Sequence, residues 1–286
     1  MTAVSLALIL AAAVAHATWN LFAKRAGDAG PAFPWLFSAA AAAVYLPVVV
    51  VFVAVARPRF DLTMLMFTLV SGSLHLGYFW LLQRGYREGD LSLVYPLARG
   101  TGPLLSSLAA VVLLDERPGL YGWVGVALAS GGVLALAAAQ PLRSGETRVA
   151  TAYGLGTGVF IALYTLWDKQ AVSAAAVPPM LMTWSSDLIR MTLLSPWAGR
   201  DWAGVRATWR RYWREVLGVA VLSPLAYLLV LSALAVAPVS AVAPAREVSV
   251  VLGVVLGSRV LAERDLAARL ASAVAIVLGV VLVTAA

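Results

Sequence analysis

The chain has 286 residues, of which 62% are hydrophobic and only 12% are charged. A soluble domain is nearer to about 45–50% apolar and about 25% charged, so this composition excludes a water-soluble globular protein and predicts a membrane protein. The net charge of +7 does not indicate a nucleic-acid partner, because the basic residues lie in short segments between apolar runs. With no cysteine and two histidines, the chain is not expected to hold a disulfide, a metal or another cofactor.

Apolar segments recur along the whole chain, and each approaches the ~20 residues that a helix needs to cross a bilayer. Short segments that carry Gly, Pro or charged residues separate them. The sequence therefore predicts an all-α membrane protein with ten transmembrane helices. The predicted spans are 4–23, 34–54, 62–82, 91–114, 120–139, 153–168, 179–197, 216–236, 239–261 and 266–285.

The second half of the chain repeats the first half with an offset of 147 residues. Arg99 and Glu116 are 17 residues apart, and so are Arg246 and Glu263; an Arg after each Glu and a Gly 16 residues beyond it keep the same offset. Because five spans is an odd number, the second copy must cross the membrane in the opposite sense. We predict two inverted five-helix repeats, 1–143 and 144–286, around a central cavity.

The basic residues are distributed unequally between the two ends of the predicted spans. Fourteen of the 21 Lys and Arg residues lie on one side and four lie on the other. Since Lys and Arg are enriched in cytoplasmic loops, we predict an inner cell membrane protein with these loops in the cytoplasm and both termini outside. One loop, 200–215, has Trp and Arg residues at helical spacing, which predicts a short helix in the lipid headgroup layer.

Ionisable residues inside the spans are the main candidates for substrate binding, since a charge within a membrane is costly unless it is paired or hydrated. Arg99 and Arg246 are equivalent in the two repeats, so they are expected to approach a shared cavity from opposite sides. The planar fork of Arg suits a carboxylate or a phosphate. The alternative is a structural role, such as an ion pair between Arg246 and the adjacent Glu247.

Asp187 and Arg190 form a second charged pair, three residues apart on one face of the seventh span. The first repeat has no counterpart, which favours a role with substrate or proton, and an internally satisfied ion pair is the alternative. Asp168 and Lys169 fall at the end of the sixth span and are predicted to be gate or interface residues. Further candidates are polar and aromatic residues that either face the ligand or pack between helices: His16, Asn20, Tyr95, Tyr164 and Trp184.

Three motifs carry a resemblance over essentially the whole chain: HATWNLFAK at 16–24, DLSLVYPLARG at 90–100, and the Glu-Arg pairs at 116–117 and 263–264. They resemble the EamA-type members of the drug/metabolite transporter superfamily. The resemblance implies ten helices in two inverted repeats and a central cavity lined by spans 1–4 and 6–9, with spans 5 and 10 as packing struts. It also implies export or exchange of small metabolites, amino acids among them.

The expected function is secondary transport of a small polar metabolite by alternating access. Charges of both signs favour an amino acid or a related zwitterion, with a proton as a candidate coupling partner. One alternative substrate is a phosphorylated or phosphonate-type metabolite held by both arginines. Another is a lipid-linked carrier; the protein would then be a flippase with a groove that opens sideways to lipid. No catalytic constellation is recognisable, so an enzyme is not expected. The predicted partners are the substrate and the lipid bilayer, and the protein is expected to be a monomer or a homodimer.

Overall fold

The computed structural model describes residues 1–26, 29–30, 32–88, 91–138, 147–252 and 266–285, with the backbone alone at 24, 86–87, 91–93, 95–96, 136–138, 147 and 266–270. The described residues form ten helices and contain no strand, so the all-α prediction is confirmed. The helices are α1 Ala3–Arg25, α2 Ala32–Ala56, α3 Leu62–Glu88, α4 Leu91–Leu113, α5 Leu120–Ala138, α6 Thr147–Ser173, α7 Pro179–Arg200, α8 Trp202–Val236, α9 Val239–Ala245 and α10 Leu266–Ala285.

Among the described helices, α1, α2, α3, α6 and α8 are long and apolar enough to cross a membrane. The apolar stretches of α4, α5 and α10 are shorter, at Leu97–Leu113, Leu120–Ala135 and Ala271–Ala285. Apolar side chains also cover the outside of the bundle. On α2, Val51 is 63% exposed and Val55 is 80% exposed, as expected for side chains that contact lipid.

Helix pairs between the two halves follow a twofold pattern. α1 packs on α8 and α3 packs on α6, and these two pairs exchange when the halves are interchanged. The pairs α2–α7, α4–α9 and α5–α10 each join a helix to its own repeat equivalent. The amino group of Met1 donates to the carbonyl oxygen of Thr284 at 3.3 Å, so both termini lie on the same side. The chain folds as two inverted five-helix repeats.

Small residues allow α5 and α10 to approach each other closely. A Cβ atom on Gly125 would lie 2.6 Å from the carbonyl oxygen of Gly279, and one on Gly279 would lie 2.4 Å from the amide nitrogen of Ala129. A Cβ atom on Gly132 would lie 2.9 Å from the carbonyl oxygen of Ser272. Gly132 and Gly279 are the glycines that recur with the repeat, so this contact is built by equivalent positions of both halves.

Two helices, α6 and α8, extend furthest beyond the predicted spans. α6 was expected at 153–168 and runs from Thr147 to Ser173, so Asp168 lies five residues inside the helix end. α8 begins at Trp202 because the side chain of Asp201 accepts a hydrogen bond from the amide of Gly204 at 3.0 Å. The predicted short helix within 200–215 forms the first part of α8, which a non-helical residue, Tyr212, separates from the apolar part.

Candidate functional site

The ninth span is interrupted at its charged residues. α9 ends just before Arg246, Arg246 and Glu247 form a turn, and residues 248–252 are helical again. Across the turn, the amide of Glu247 donates to the carbonyl of Pro244 at 3.0 Å, and the amide of Ser249 donates to that of Arg246 at 3.1 Å. These bonds span three residues rather than four, a tightening that is favoured by Pro244, which cannot donate a backbone hydrogen bond. The break places two adjacent and opposite charges within the span.

Arg99 of α4 reaches this break from the other repeat. Its Nη2 atom lies 3.0 Å from Oε1 of Glu247 and donates to Oγ of Ser249 at 3.1 Å. Arg99 is 7% exposed, Arg246 is 8% exposed, and Glu247 is fully buried. We call Arg99, Arg246 and Glu247 the central cluster. The structure thus brings together three predicted site residues from both repeats, and Glu247 is ion-paired with Arg99 rather than with its neighbour.

Arg246 has weaker partners than Arg99. Its Nη2 atom donates to Oγ1 of Thr165 at 3.5 Å, and its Nε atom has no hydrogen-bond partner among the described residues. Within the same part of the chain, neither oxygen of Glu247 accepts a hydrogen bond, so its contact with Arg99 is an ion pair without hydrogen-bond geometry. Buried polar atoms are nearly always hydrogen-bonded, and these atoms therefore mark a position for a polar ligand or for water.

His16 and Asn20 lie one turn apart on α1. His16 is close enough to Arg99 and Arg246 to interact with their charges. Its Nδ1 atom accepts a hydrogen bond from Nε1 of Trp19 at 3.3 Å, and its carbonyl oxygen accepts one from Nδ2 of Asn20 at 2.7 Å. His16 therefore lies near the two arginines of the central cluster, whereas the amide of Asn20 is bonded within its own helix.

Tyr164 belongs to an aromatic group between α3, α6 and α8. Its ring stacks on His75 with 4.2 Å between the centroids, and the rings of Tyr78 and Tyr227 approach it edge-on. Tyr164 directly precedes the threonine that bonds to Arg246, so this group adjoins the central cluster. The side chain of Tyr95, another predicted site residue, lies outside the described part of the chain.

Asp168 is fully buried beside this aromatic group. Its Oδ2 atom accepts a hydrogen bond from the hydroxyl of Tyr227, and its Oδ1 atom has no hydrogen-bond partner among the described residues. Thr165 and Asp168 are three residues apart on α6 and so share a helix face. We predicted Asp168 only as a gate or interface residue, because the apolar run ends there in the sequence. Its spacing from Thr165 was a visible signal, but nothing in the sequence linked Thr165 to Arg246.

Asp187 and Arg190 form a separate cluster on α7. Nη1 of Arg190 donates to Oδ1 of Asp187 at 3.0 Å and to Oγ of Ser38 at 3.4 Å. Trp184 lies beside them, and its Nε1 atom donates to the carbonyl of Ala42 at 2.9 Å. The pocket next to these residues has essentially no free volume. Asp187 and Arg190 are thus ion-paired with each other, while Nε of Arg190 has no hydrogen-bond partner among the described residues. The structure does not bring these three predicted site residues into the central cluster.

Two charged side chains hold the turn between α8 and α9. The carboxylate of Glu116 accepts hydrogen bonds from the amides of Val239 and Ser240 at 2.7 and 2.9 Å. Nζ of Lys169 donates to two carbonyls at the end of α8, at 2.7 and 3.0 Å. Each charge thus lies at the helix end whose dipole attracts it. Both residues line a cleft of about 350 Å³, whose other lining residues are Leu114, Gln170, Ser173 and Pro238.

A model of the EamA-like transporter family matches residues 3–138 and 149–285. The chain belongs to the EamA-like transporter family. A protein of known crystal structure shares its fold, with a TM-score of 0.73 at 15% sequence identity over 97% of this chain and 98% of the other. No curated protein matches the sequence.

Family membership confirms the resemblance seen in the motifs. Together with the apolar helices, it makes the protein a multi-pass membrane transporter of the drug/metabolite type. The two matched ranges correspond to the two five-helix repeats, and the central cluster takes one Arg from each of them.

Proposed function

We propose that this EamA-like protein moves a small zwitterion, such as an amino acid, across the cell membrane by alternating access, with the central cluster as its binding site. The proposal rests on one observation. Arg99, Arg246 and Glu247, which come from both repeats, form one buried group. Transporters with inverted repeats bind their substrates where the repeats meet, at discontinuous helices, and the break in α9 is such a place.

The charges of the central cluster suit a zwitterion. Two arginines and one glutamate leave a single positive charge, and Arg99 is already paired with Glu247. Arg246 has no carboxylate within ion-pair distance among the described residues, so its fork is available for the carboxylate of a substrate. The oxygens of Glu247, which lack hydrogen bonds in the described part of the chain, are suited to the ammonium group.

A phosphorylated metabolite is the second candidate. The presence of one Arg from each repeat favours it, because a phosphate dianion would use both guanidinium groups. To bind in this way, Arg99 would have to leave Glu247 unpaired in a buried site, which costs several kcal/mol, about 3–5 for a broken buried pair. The zwitterion therefore fits the observed pairing better.

Thermal stabilisation of the purified protein by a panel of L-amino acids and organophosphates tests the proposal. A ligand at about a hundredfold excess over its dissociation constant stabilises the folded state by about 2.7 kcal/mol. We expect an amino acid to raise the unfolding temperature, Arg246→Lys to weaken the effect because Lys lacks the fork, and Arg246→Ala to abolish it. Arg206→Ala, on the exposed start of α8, is the matched control. Stabilisation by organophosphates alone would replace the zwitterion with the second candidate.

The same proposal includes an orientation in the cell membrane, with the basic loops in the cytoplasm and both termini outside. The unequal distribution of Lys and Arg supports it. Because the chain has no cysteine, Thr2→Cys introduces a single reactive thiol. We expect a membrane-impermeant maleimide to label it in intact cells. Labelling only after permeabilisation would reverse the orientation.

A further inference from the structure

We propose that Asp168 is a proton-binding site that couples transport to a proton gradient. This inference rests on the proposed function, because the coupled proton acts on the binding of the zwitterion. Asp168 lies outside the central cluster, one turn of α6 beyond Thr165, the residue that bonds to Arg246.

Asp168 differs from the other buried carboxylates in its partners. Glu247 and Asp187 each have an Arg nitrogen at 3.0 Å, whereas Asp168 has no cation within ion-pair distance among the described residues. Its carboxylate accepts a hydrogen bond from the hydroxyl of Tyr227, and the hydroxyl of Ser71 is near enough to interact with it. A buried carboxylate without a cation is costly when charged, and binding a proton removes that cost. Tyr227 can accept a hydrogen bond from the protonated acid as readily as it donates one to the carboxylate.

Charged and titratable groups reach the surroundings of Asp168 from each helix that packs on α6. Arg246 interacts with its charge through space, and Tyr164 interacts with the charges of Asp168, Arg99 and Glu247 alike. The groups are His75 and Tyr78 from α3, Arg99 from α4, Tyr227 from α8, and Arg246 and Glu247 from the turn after α9. Of these groups, Arg246 is the one through which protonation of Asp168 changes the binding of the substrate.

The proton and the substrate help each other to bind. When Asp168 is a carboxylate, its negative charge partly balances Arg246 and weakens the attraction of Arg246 for a substrate carboxylate. When Asp168 takes one proton from water and becomes a neutral acid, Arg246 attracts the substrate carboxylate more strongly. After the repeats change conformation, the acid returns the proton to water on the opposite side. One proton therefore moves in the same direction as one substrate.

A polar cleft lies on the side of the protein where α6 ends. Lys169 and Gln170, the two residues after Asp168 on α6, line the cleft of about 350 Å³ on the side where α6 ends. The helix alternation places both termini on that same side. Asp168 is thus adjacent in the chain to residues that border the cleft, while its carboxylate is buried next to Tyr227.

Infrared difference spectra of the protein in phosphatidylethanolamine and phosphatidylglycerol vesicles test the proton site without any substrate. We expect wild type to show a protonated-carboxyl band that fades as the pH is raised, and Asp168→Asn to lack it. In Tyr227→Phe the band should move, because the hydrogen bond to the acid is lost. Asp187→Asn, which removes an ion-paired carboxylate, should keep the band. A band that persists in Asp168→Asn would overturn the assignment.

Ligand binding at several pH values then tests the coupling. For an amino acid that stabilises wild type, the apparent affinity should tighten by up to about tenfold per unit decrease in pH, as one linked proton requires. Asp168→Asn should still bind it, with an affinity that does not depend on pH. An unchanged pH dependence in this variant would refute coupling and leave the zwitterion site intact. If no amino acid binds wild type, the proposed function fails, and the infrared result still decides on the proton site.

Discussion

Glu116 and Lys169 each complete the end of a helix in another part of the fold. Glu116 caps the first amides of α9, and Lys169 bonds to the last carbonyls of α8. Glu116 follows Asp115, whose left-handed backbone (φ 52°) ends α4 and redirects the chain. The turn that they hold leads directly into α9 and the central cluster. These two charges therefore hold the turn that leads to the central cluster from one side of the protein.

Removing the ammonium group of Lys169 should loosen this turn. Lys169→Met keeps the apolar stem and leaves the two carbonyls at the end of α8 without their donor. A hydrogen bond from a charged group contributes about 1.5–3 kcal/mol, so we expect a clear decrease in the temperature of unfolding in detergent. Arg117→Met is the matched control, because its ion pair with Asp115 is exposed and such pairs contribute about 0–1 kcal/mol. Equal stability of both variants would show that Lys169 does not hold the turn.

The sequence predicted the central cluster because its arginines recur in the repeat and are rare charges inside apolar spans. It did not predict the partners of those arginines. Arg99 pairs with Glu247 because the break in α9 turns that carboxylate toward the other repeat, and no periodicity in the chain encodes this direction. Asp168 was placed at a span end because hydropathy falls at Asp168, Lys169 and Gln170, while the helix continues to Ser173.

α4 and α9 are repeat equivalents that differ in the structure. α4 is helical throughout Leu91–Leu113, including Arg99, while α9 stops before Arg246. The residue after Arg99 is a glycine, and the residue after Arg246 is Glu247, which is held by an ion pair from the opposite repeat. The sequence predicted two equivalent helices. In the structure they differ in length, and the ion pair between the repeats lies where α9 ends. Glu263 and Arg264 lie outside the described residues.

The close contact between α5 and α10 gives a prediction with a matched control one residue away. Gly132→Ala would place a methyl group 2.9 Å from the carbonyl oxygen of Ser272, so one helix must move. Such overpacking costs about 1–3 kcal/mol. Gly131→Ala meets no atom within 4 Å and should stabilise the helix by about 0.5–1 kcal/mol. Thermal unfolding of both variants in detergent checks this, and destabilisation by Gly131→Ala as large as that by Gly132→Ala would contradict it.

At the scale of the whole molecule, the inverted repeats explain why the central cluster lies where it does. When the two halves are interchanged, some helix pairs exchange with each other and others map onto themselves. The residues closest to the pseudo-twofold axis therefore come from both halves. α4 and α9 form one such pair, and the central cluster is their charged contact. A conformational change that moves one repeat against the other would alter this contact. It is therefore suited to bind a substrate that is released on alternate sides.

The most direct test of this account is exchange of a radiolabelled amino acid in proteoliposomes that contain wild type, Arg246→Ala or Arg206→Ala. If Arg246 binds the substrate carboxylate, wild type and Arg206→Ala exchange the amino acid across the membrane and Arg246→Ala does not. Exchange by Arg246→Ala at the rate of wild type would contradict the assignment of the central cluster as the substrate site.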